Sequence, residues 1–358
     1  MEVSPLRRDI DRQPAVLAAL MARVDSFMRF GSAHLRAGGG GRVFVTGCGD
    51  GLFAAMAALA FADRLCIDWR PISALDLVLG AGRLTLADRV VAISMSGNVD
   101  RTVEAALAVQ SMGVPLVALV NGPEGGRLGK IATARISLDL EDIAPFLCGT
   151  ASYTATLLAL MAMASGAGGK GDKPDLSSVV EAQHAALTAS DAVLPLIGLP
   201  SGVRLLSAGA ERGTVAYGAA KFVELTRIPA WSGDLEEFAH SQYWSMPNSD
   251  LVVIVAAQAA LAKYADEACA ALGELGVATL ALDTPAAPVP RATRRITLPI
   301  DDPALAPLAT ALPLQLLAAS MARRSGLDPD TRAHLKSDQT RFRVSRLLTR
   351  RSLLGSGN

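Results

Sequence analysis

Paired cysteines, an excess of charge and a long apolar run are all missing from this sequence, and each absence closes off a class of function. Four cysteines stand in 358 residues. Cys48, Cys66, Cys148 and Cys269 show no paired spacing, so neither a disulfide framework nor a zinc site is indicated, and scattered thiols suit a reducing compartment. Lys and Arg together number 34, as do Asp and Glu, so there is no global field to hold nucleic acid or an acidic membrane surface. The expected partner is a small molecule. Hydrophobic residues make up 51% of the chain, but they are Ala-rich and interrupted by Gly and charges, and no run approaches the roughly 18–20 residues of a membrane span. The amino terminus MEVSPLRRDIDRQP has no apolar signal-peptide core, so a cytoplasmic location is expected.

What the sequence does contain is an alternation of apolar strands and helices. GRVFVTGCGDG is a strand running into a Gly-rich turn, LFAAMAALAFADRL a helix, LCIDWRPI a strand, DRVVAISMSGNVDRTVEAALAVQSMG a strand, turn and helix, and VPLVALVN a further strand. Helical crossovers of this length make the strands parallel, in a sheet covered on both faces. The Gly-, Lys- and Asp-rich segment 166–178 breaks the pattern, and beyond it the alternation restarts with VRLLSAG, VAYGAAKFVEL, LVVIVAA, ALAKYADEACAALGELG and VATLALD. The expected fold class is therefore α/β, with two doubly wound parallel-sheet domains in tandem. Residues 1–165 would form the first, including an amino-terminal helix, and residues 179–358 the second, including the carboxyl-terminal tail.

In such sheets ligands bind beyond the carboxyl ends of the strands. Two polar turns stand there, Gly47-Cys48-Gly49-Asp50-Gly51 and Ser94-Met95-Ser96-Gly97-Asn98. Hydroxyls and backbone N–H groups at a helix start near Val99 suit a phosphate or other oxyanion, and equally suit ordinary capping of the helix. The first turn is an incomplete dinucleotide fingerprint, with Leu52 where its last glycine belongs and Asp68 about where a ribose-binding acid would stand. In the second half, Glu224 and His240 lie sixteen residues apart, and the tail supplies Lys336. A carboxylate that moves a proton between adjacent carbons, an imidazole that protonates a ring oxygen and an ammonium beside a developing oxyanion would suffice for sugar isomerisation. Each alone also fits an ordinary surface residue. His34, His184 and His334 lack partners at metal spacing and fit surface or core positions. The basic segment 341–351 fits a terminal helix, and Trp231 and Trp244 would wall either a pocket or a subunit interface.

Taken in order, these segments resemble the tandem sugar isomerase (SIS) domain family, particularly the isomerase half of glucosamine-6-phosphate synthases, from about residue 20 to the mid-340s. Ala219-Ala220-Lys221-Phe222-Val223-Glu224 is similar to that family's A-L-K-L-K-E, Glu237-Phe238-Ala239-His240 to its E-L-K-H, and Arg332-Ala333-His334-Leu335-Lys336-Ser337 to its R-N-L-A-K-S. Gly149-Thr150-Ala151-Ser152 is similar to its substrate-lining G-V-A-S and nominates Ser152. The resemblance implies Glu224 as the base, His240 as the ring-opening group and Lys336 as the cation near the sugar oxygens. Gly49, Asp50, Gly51, Ser94, Met95, Ser96, Val99 and Ser152 would line the substrate. It further implies no metal or organic cofactor, and a homodimer whose shared sites take His240 from the neighbouring subunit.

Two positions depart from the pattern. The family's first turn ends in Ser where this chain has Gly51, and its second reads Ser-x-Ser-Gly-x-Thr where this chain has Val99, so two hydroxyls that hold a sugar phosphate are absent. Thr102, one helical turn further on, is a possible substitute, and Asp50 would repel an anion or accept bonds from hydroxyls or an amine. The glutamine-hydrolysing part of the synthases has no counterpart, so ammonia transfer is not expected. The leading expectation is an aldose–ketose isomerase of a sugar, sugar phosphate or amino sugar. The alternatives are a deglycase or deaminase of an amino-linked ketose phosphate, and a non-catalytic regulator that binds a sugar phosphate.

Overall fold

The computed structural model describes residues 3–169, 174–350 and 352–353. The chain divides into two compact units, neither continuous in sequence. The first holds Ala19–Asp142, Ser152–Pro174 and Leu335–Asn358, and the second holds Met1–Ala18, Ile143–Ala151 and Asp175–His334. The expected division at 1–165 and 179–358 thus differs at both ends of the chain. The amino-terminal helix Pro5–Asp11 joins the second unit, where Leu6 and Ile10 are fully buried and Gln13 donates to Gln315 Oε1 at 2.6 Å. The carboxyl-terminal tail joins the first unit, where Ser352 donates to Glu104 Oε1 at 2.9 Å. Residues 170–173 of the expected linker lie outside the described residues, and the helices Ala151–Gly168 and Ser177–Val193 each run into its ends.

The first unit is built on strands β1 (Val43–Gly47), β2 (Trp69–Ser73), β3 (Arg89–Ile93), β4 (Leu116–Val120) and β5 (Ala134–Ser137), all parallel in the order β2-β1-β3-β4-β5. β4 is buried along its whole length and β3 at all but its first residue. That is the continuous apolar run expected of a strand covered on both faces. On one face, Val90, Ala92, Leu116 and Ala118 pack with Leu77 of the helix Ala74–Gly80 and with Val103 and Ala106 of the helix Asp100–Ser111. The helix expected over LFAAMAALAFADRL forms in two pieces, Asp50–Ala57 and Leu59–Arg64, and the Trp69 indole donates to the Ala55 carbonyl at 3.0 Å.

The second unit repeats this strand order with β6 (Val203–Ser207), β7 (Ala230–Asp234), β8 (Leu251–Ala256), β9 (Ala278–Asp283) and β10 (Arg294–Thr297), running β7-β6-β8-β9-β10 and again all parallel. Leu206, Val252 and Ile254 pack with Phe238 and Cys269 in the core of one face. The sequence pattern missed β5, β7 and β10, which are short edge strands of mixed burial. Among the described residues no helix is long and apolar enough to cross a membrane.

Candidate active site

With the order β2-β1-β3-β4-β5 the connections leave β1 and β3 in opposite directions, which opens a crevice beyond their carboxyl ends. Gly47 at the end of β1 lies in register with Ile93 at the end of β3, so both polar turns border that crevice. After β1, Gly49 precedes the helix Asp50–Ala57 with φ 56°, and a Cβ built on it meets nothing within 4 Å. Space is open there. Gly51 is different, because a Cβ would come within 3.0 Å of Ile93 Cγ2, so a serine there would require Ile93 to move by a few tenths of an ångström. Asp50, half-buried, is the first residue of the helix.

After β3 the turn is pinned by backbone bonds from Ser94 N–H to the Leu119 carbonyl at 3.1 Å and from Asn121 N–H to the Met95 carbonyl at 2.9 Å. Gly97 has φ 64°, and a Cβ there would lie 1.9 Å from the Gly125 carbonyl oxygen, so only glycine closes the turn. The Ser94 hydroxyl is buried with no hydrogen-bond partner, while Ser96 and Val99 are exposed. The Thr156 hydroxyl donates to the Ser152 carbonyl at 2.7 Å and sits 3.9 Å from Met95 Sδ. It thereby ties the helix turn that carries Ser152 to the Met95 turn. The helix begins at Asp100, not Val99, and Asp100 pairs with Arg127 at 2.5 Å. Thr102, a possible replacement for the missing hydroxyl, is fully buried and bonded to Cys48 Sγ at 3.6 Å, so it braces the two turns.

In the second unit the helix Arg212–Leu225 carries Glu224 in its last turn. Lys221, one turn earlier and 1% exposed, donates from Nζ to Glu224 Oε2 at 2.8 Å, and Arg332 Nη1 lies 3.7 Å from the same oxygen. The Glu224 side chain is 36% exposed, so a carboxylate anchored from below remains open to a ligand. Arg332 is held in turn by donating from Nε to the Phe146 carbonyl at 2.9 Å, with its own backbone at φ 50°. His334 is half-buried beside this group. Burial is the main influence pushing its imidazole below the ordinary histidine range, with Arg227 and Arg332 acting in the same sense and a backbone contact with Glu224 opposing them. Sequence reasoning missed Lys221, Arg332 and His334 as members of this cluster. The signal available was the spacing of Lys221 three residues before Glu224, which puts both on one helix face.

His240 ends the helix Leu235–His240, which Asp234 caps. Its Nε2 lies 2.9 Å from Glu236 Oε1 and the side chain is 67% exposed. Among the described residues no hydrogen bond or ion pair joins His240 to Glu224. Between them residues 230–234 form β7, and Trp231 stacks under the Arg204 guanidinium at 3.8 Å. Trp244 is 80% exposed. Lys336 is exposed on the helix Ala333–Ser337 and belongs to the first unit.

No family model matches the chain. A sequence relative is the glutamine–fructose-6-phosphate aminotransferase (isomerizing) of Gloeobacter violaceus, 25% identical over 329 residues. The match takes in 84% of this chain and 52% of the relative, so the chain spans about half its length. Among solved structures, the C-terminal domain of glucosamine-fructose-6-phosphate aminotransferase from Francisella tularensis superposes with a TM-score of 0.78 at 16% identity, covering 92% of this chain and 98% of that one. The chain has the sugar isomerase (SIS) fold. Tagatose-6-phosphate ketose/aldose isomerase from Escherichia coli superposes with a TM-score of 0.75 at 19% identity, over 92% and 95% of the two chains. Glucosamine-6-phosphate deaminase from Thermotoga maritima does so with 0.73 at 17% identity, over 91% and 97%.

Proposed function

We propose that the protein interconverts the aldose and ketose forms of a sugar, with Glu224 as the base that carries a proton between C1 and C2. The observation that supports this most is the Glu224 carboxylate, one oxygen bonded by the buried Lys221 ammonium and the group still partly exposed. The pair fixes the carboxylate and leaves Oε1 to meet a C–H bond. Abstraction at the carbon beside the carbonyl gives a cis-enediol, and return of the same proton to the neighbouring carbon completes the isomerisation. Arg332 adds a positive charge beside Glu224, where it favours the oxyanion that develops on the sugar. His240 would open the ring, and Lys336 would face the sugar oxygens.

Similarity to a glucosamine-6-phosphate deaminase and a tagatose-6-phosphate ketose/aldose isomerase supports a hexose 6-phosphate or its amino analogue as the substrate class. Ser94, Met95, Ser96 and Ser152 would hold its anionic end. A second reading, removal of an amine from an amino-linked ketose, draws on Asp50, the half-buried acid that opens the first helix at the crevice. A carboxylate there accepts bonds from an ammonium and competes with a phosphate.

The test of the leading reading is exchange of solvent deuterium into C1 or C2 of candidate aldoses and ketoses. Glu224→Gln should keep the fold and lower exchange and turnover by about 10²–10⁴-fold, the usual worth of a general base. Unchanged exchange in the variant would remove Glu224 from the reaction, while release of ammonia or an amino acid would select the second reading.

A further inference from the structure

A cavity of about 480 Å³ lies within the second unit, walled by the helix Pro5–Asp11, the end of the helix Ser177–Val193 and the last turns of the helix Pro307–Arg324. Its volume falls in the range of small-molecule sites, about 300–1,000 Å³, and none of its lining residues belongs to the cluster around Glu224. Ile10, Leu194, Leu316 and Ala319 give it an apolar floor, each no more than 6% exposed. Three guanidinium groups line it, from Arg7, Arg323 and Arg324, against one carboxylate, Asp191.

Arg7 and Asp191 satisfy each other through two bonds of 2.6 and 2.8 Å, and Arg7 Nε is taken by Asp11 at 2.7 Å. Those charges cancel locally. Arg323 donates to the Ser4 hydroxyl and Arg324 to the Ile197 carbonyl, both uncharged acceptors. Asp328 feels the charge of Arg323, and its carboxylate accepts from the Thr331 hydroxyl at 2.6 Å and the Asp330 N–H at 3.0 Å. Two exposed positive charges therefore stand at the cavity, neither paired with a carboxylate among the described residues. Placement in the last turn of a helix accounts for arginines as such, but not for their meeting an apolar cavity. The independent sign of a ligand is Ser190, which lines the same cavity, is fully buried and has a hydroxyl with no hydrogen-bond partner. A hydroxyl so placed costs stability unless something in the cavity bonds it.

We propose that this cavity binds a small organic anion, a carboxylate or phosphate monoester on an apolar body. Arg323 and Arg324 take the charge, Ser190 donates from the wall and the aliphatic floor receives the body. Planar guanidinium forks match either head group. Titration calorimetry of the full chain with octanoate, hexyl phosphate and inorganic phosphate tests this, and the tighter of the two amphiphiles identifies the head group. Saturable binding of at least one amphiphile is expected, with inorganic phosphate much weaker. Arg323→Gln should weaken it by about ten- to hundredfold, the worth of a charge-assisted bond. Ser190→Ala should weaken it several-fold while leaving thermal stability unchanged or raised, because that hydroxyl bonds nothing in the fold. No saturable binding of either amphiphile below about 1 mM would overturn the proposal. So would affinities untouched by both substitutions, or inorganic phosphate binding as tightly as hexyl phosphate.

Discussion

Glu211 stands at the carboxyl end of β6, immediately before the helix that ends in Glu224, and it is a carboxylic acid enclosed by the core. Thr310 donates to its Oε2 at 2.8 Å, while Oε1 has no partner. Burial pushes it up from the ordinary 4.5 to about 7, against the opposing pull of the Thr310 and Thr214 hydroxyls. Below pH 4.5 it is protonated in both the folded and the unfolded chain and contributes nothing to pH dependence. As pH rises towards 7 the unfolded chain releases its proton first, so the folded state loses stability, by about 3 kcal/mol in all at 1.36 kcal/mol per unit. Glu211→Gln, which keeps the shape and cannot ionise, should therefore match the wild type near pH 4.5 in urea unfolding and become progressively more stable than it up to pH 8. A difference that does not grow with pH would show that Glu211 ionises as freely in the fold as in solvent. Nothing in the sequence marks this residue, whose bonding partner Thr310 stands ninety-nine positions away. The helical spacing of Lys221 to Glu224 offered a signal that went unread, whereas Arg332 and His334 reach Glu224 only by tertiary folding.

Elements buried on both faces were easy to read, whereas of the edge strands β2 was read and β5, β7 and β10 were not. β1, β3, β4, β6, β8 and β9 are mostly Val, Leu, Ile and Ala and end at turn residues, because a central parallel strand sees apolar helices on either side. β7 follows Pro229 and contains Trp231, Ser232 and Gly233, and as an edge strand it buries too little to impose that pattern. The turn after β3 was legible as an element and ambiguous in purpose, since serines at a helix start serve as caps or as ligand donors. The two serines divide between these roles, because the Ser96 hydroxyl accepts from the Asn98 N–H at 3.2 Å within the turn while the buried Ser94 hydroxyl is unpartnered. Ser94→Ala with Ser96→Ala should cost thermal stability little, since the one bond lost is exposed. If the ligand is a sugar phosphate, its dissociation constant should rise by roughly two to four decades, from two charge-assisted bonds of about 1.5–3 kcal/mol each. The free sugar should be affected far less. Equal and small changes for both ligands would mean that this turn does not hold a phosphate, in keeping with Asp50 at the same crevice.

At the scale of the whole molecule the open question is where His240 acts. It is exposed and bonded to Glu236 on its own helix, and among the described residues no hydrogen bond or ion pair joins it to Glu224. Trp244, four residues on, is also largely exposed, and an uncovered tryptophan beside a polar rim is the usual composition of an interface anchor. An assembly in which the His240 of one subunit serves the Glu224 of its neighbour accounts for both exposures. In a two-fold dimer each such site draws its base from one chain and its histidine from the other. Glu224→Gln and His240→Ala proteins would each be inactive alone. When they exchange subunits at equal concentration, about half the dimers are mixed, and in each of these one site receives an intact glutamate and an intact histidine while the other receives neither. Activity should therefore return to about a quarter of the wild-type value, on a time course set by subunit exchange and abolished by cross-linking the parent dimers before mixing. An exchanged mixture that stays inactive would place both residues in one subunit's site or deny one of them a role. A chain that sediments as a monomer at assay concentration would refute the shared site outright.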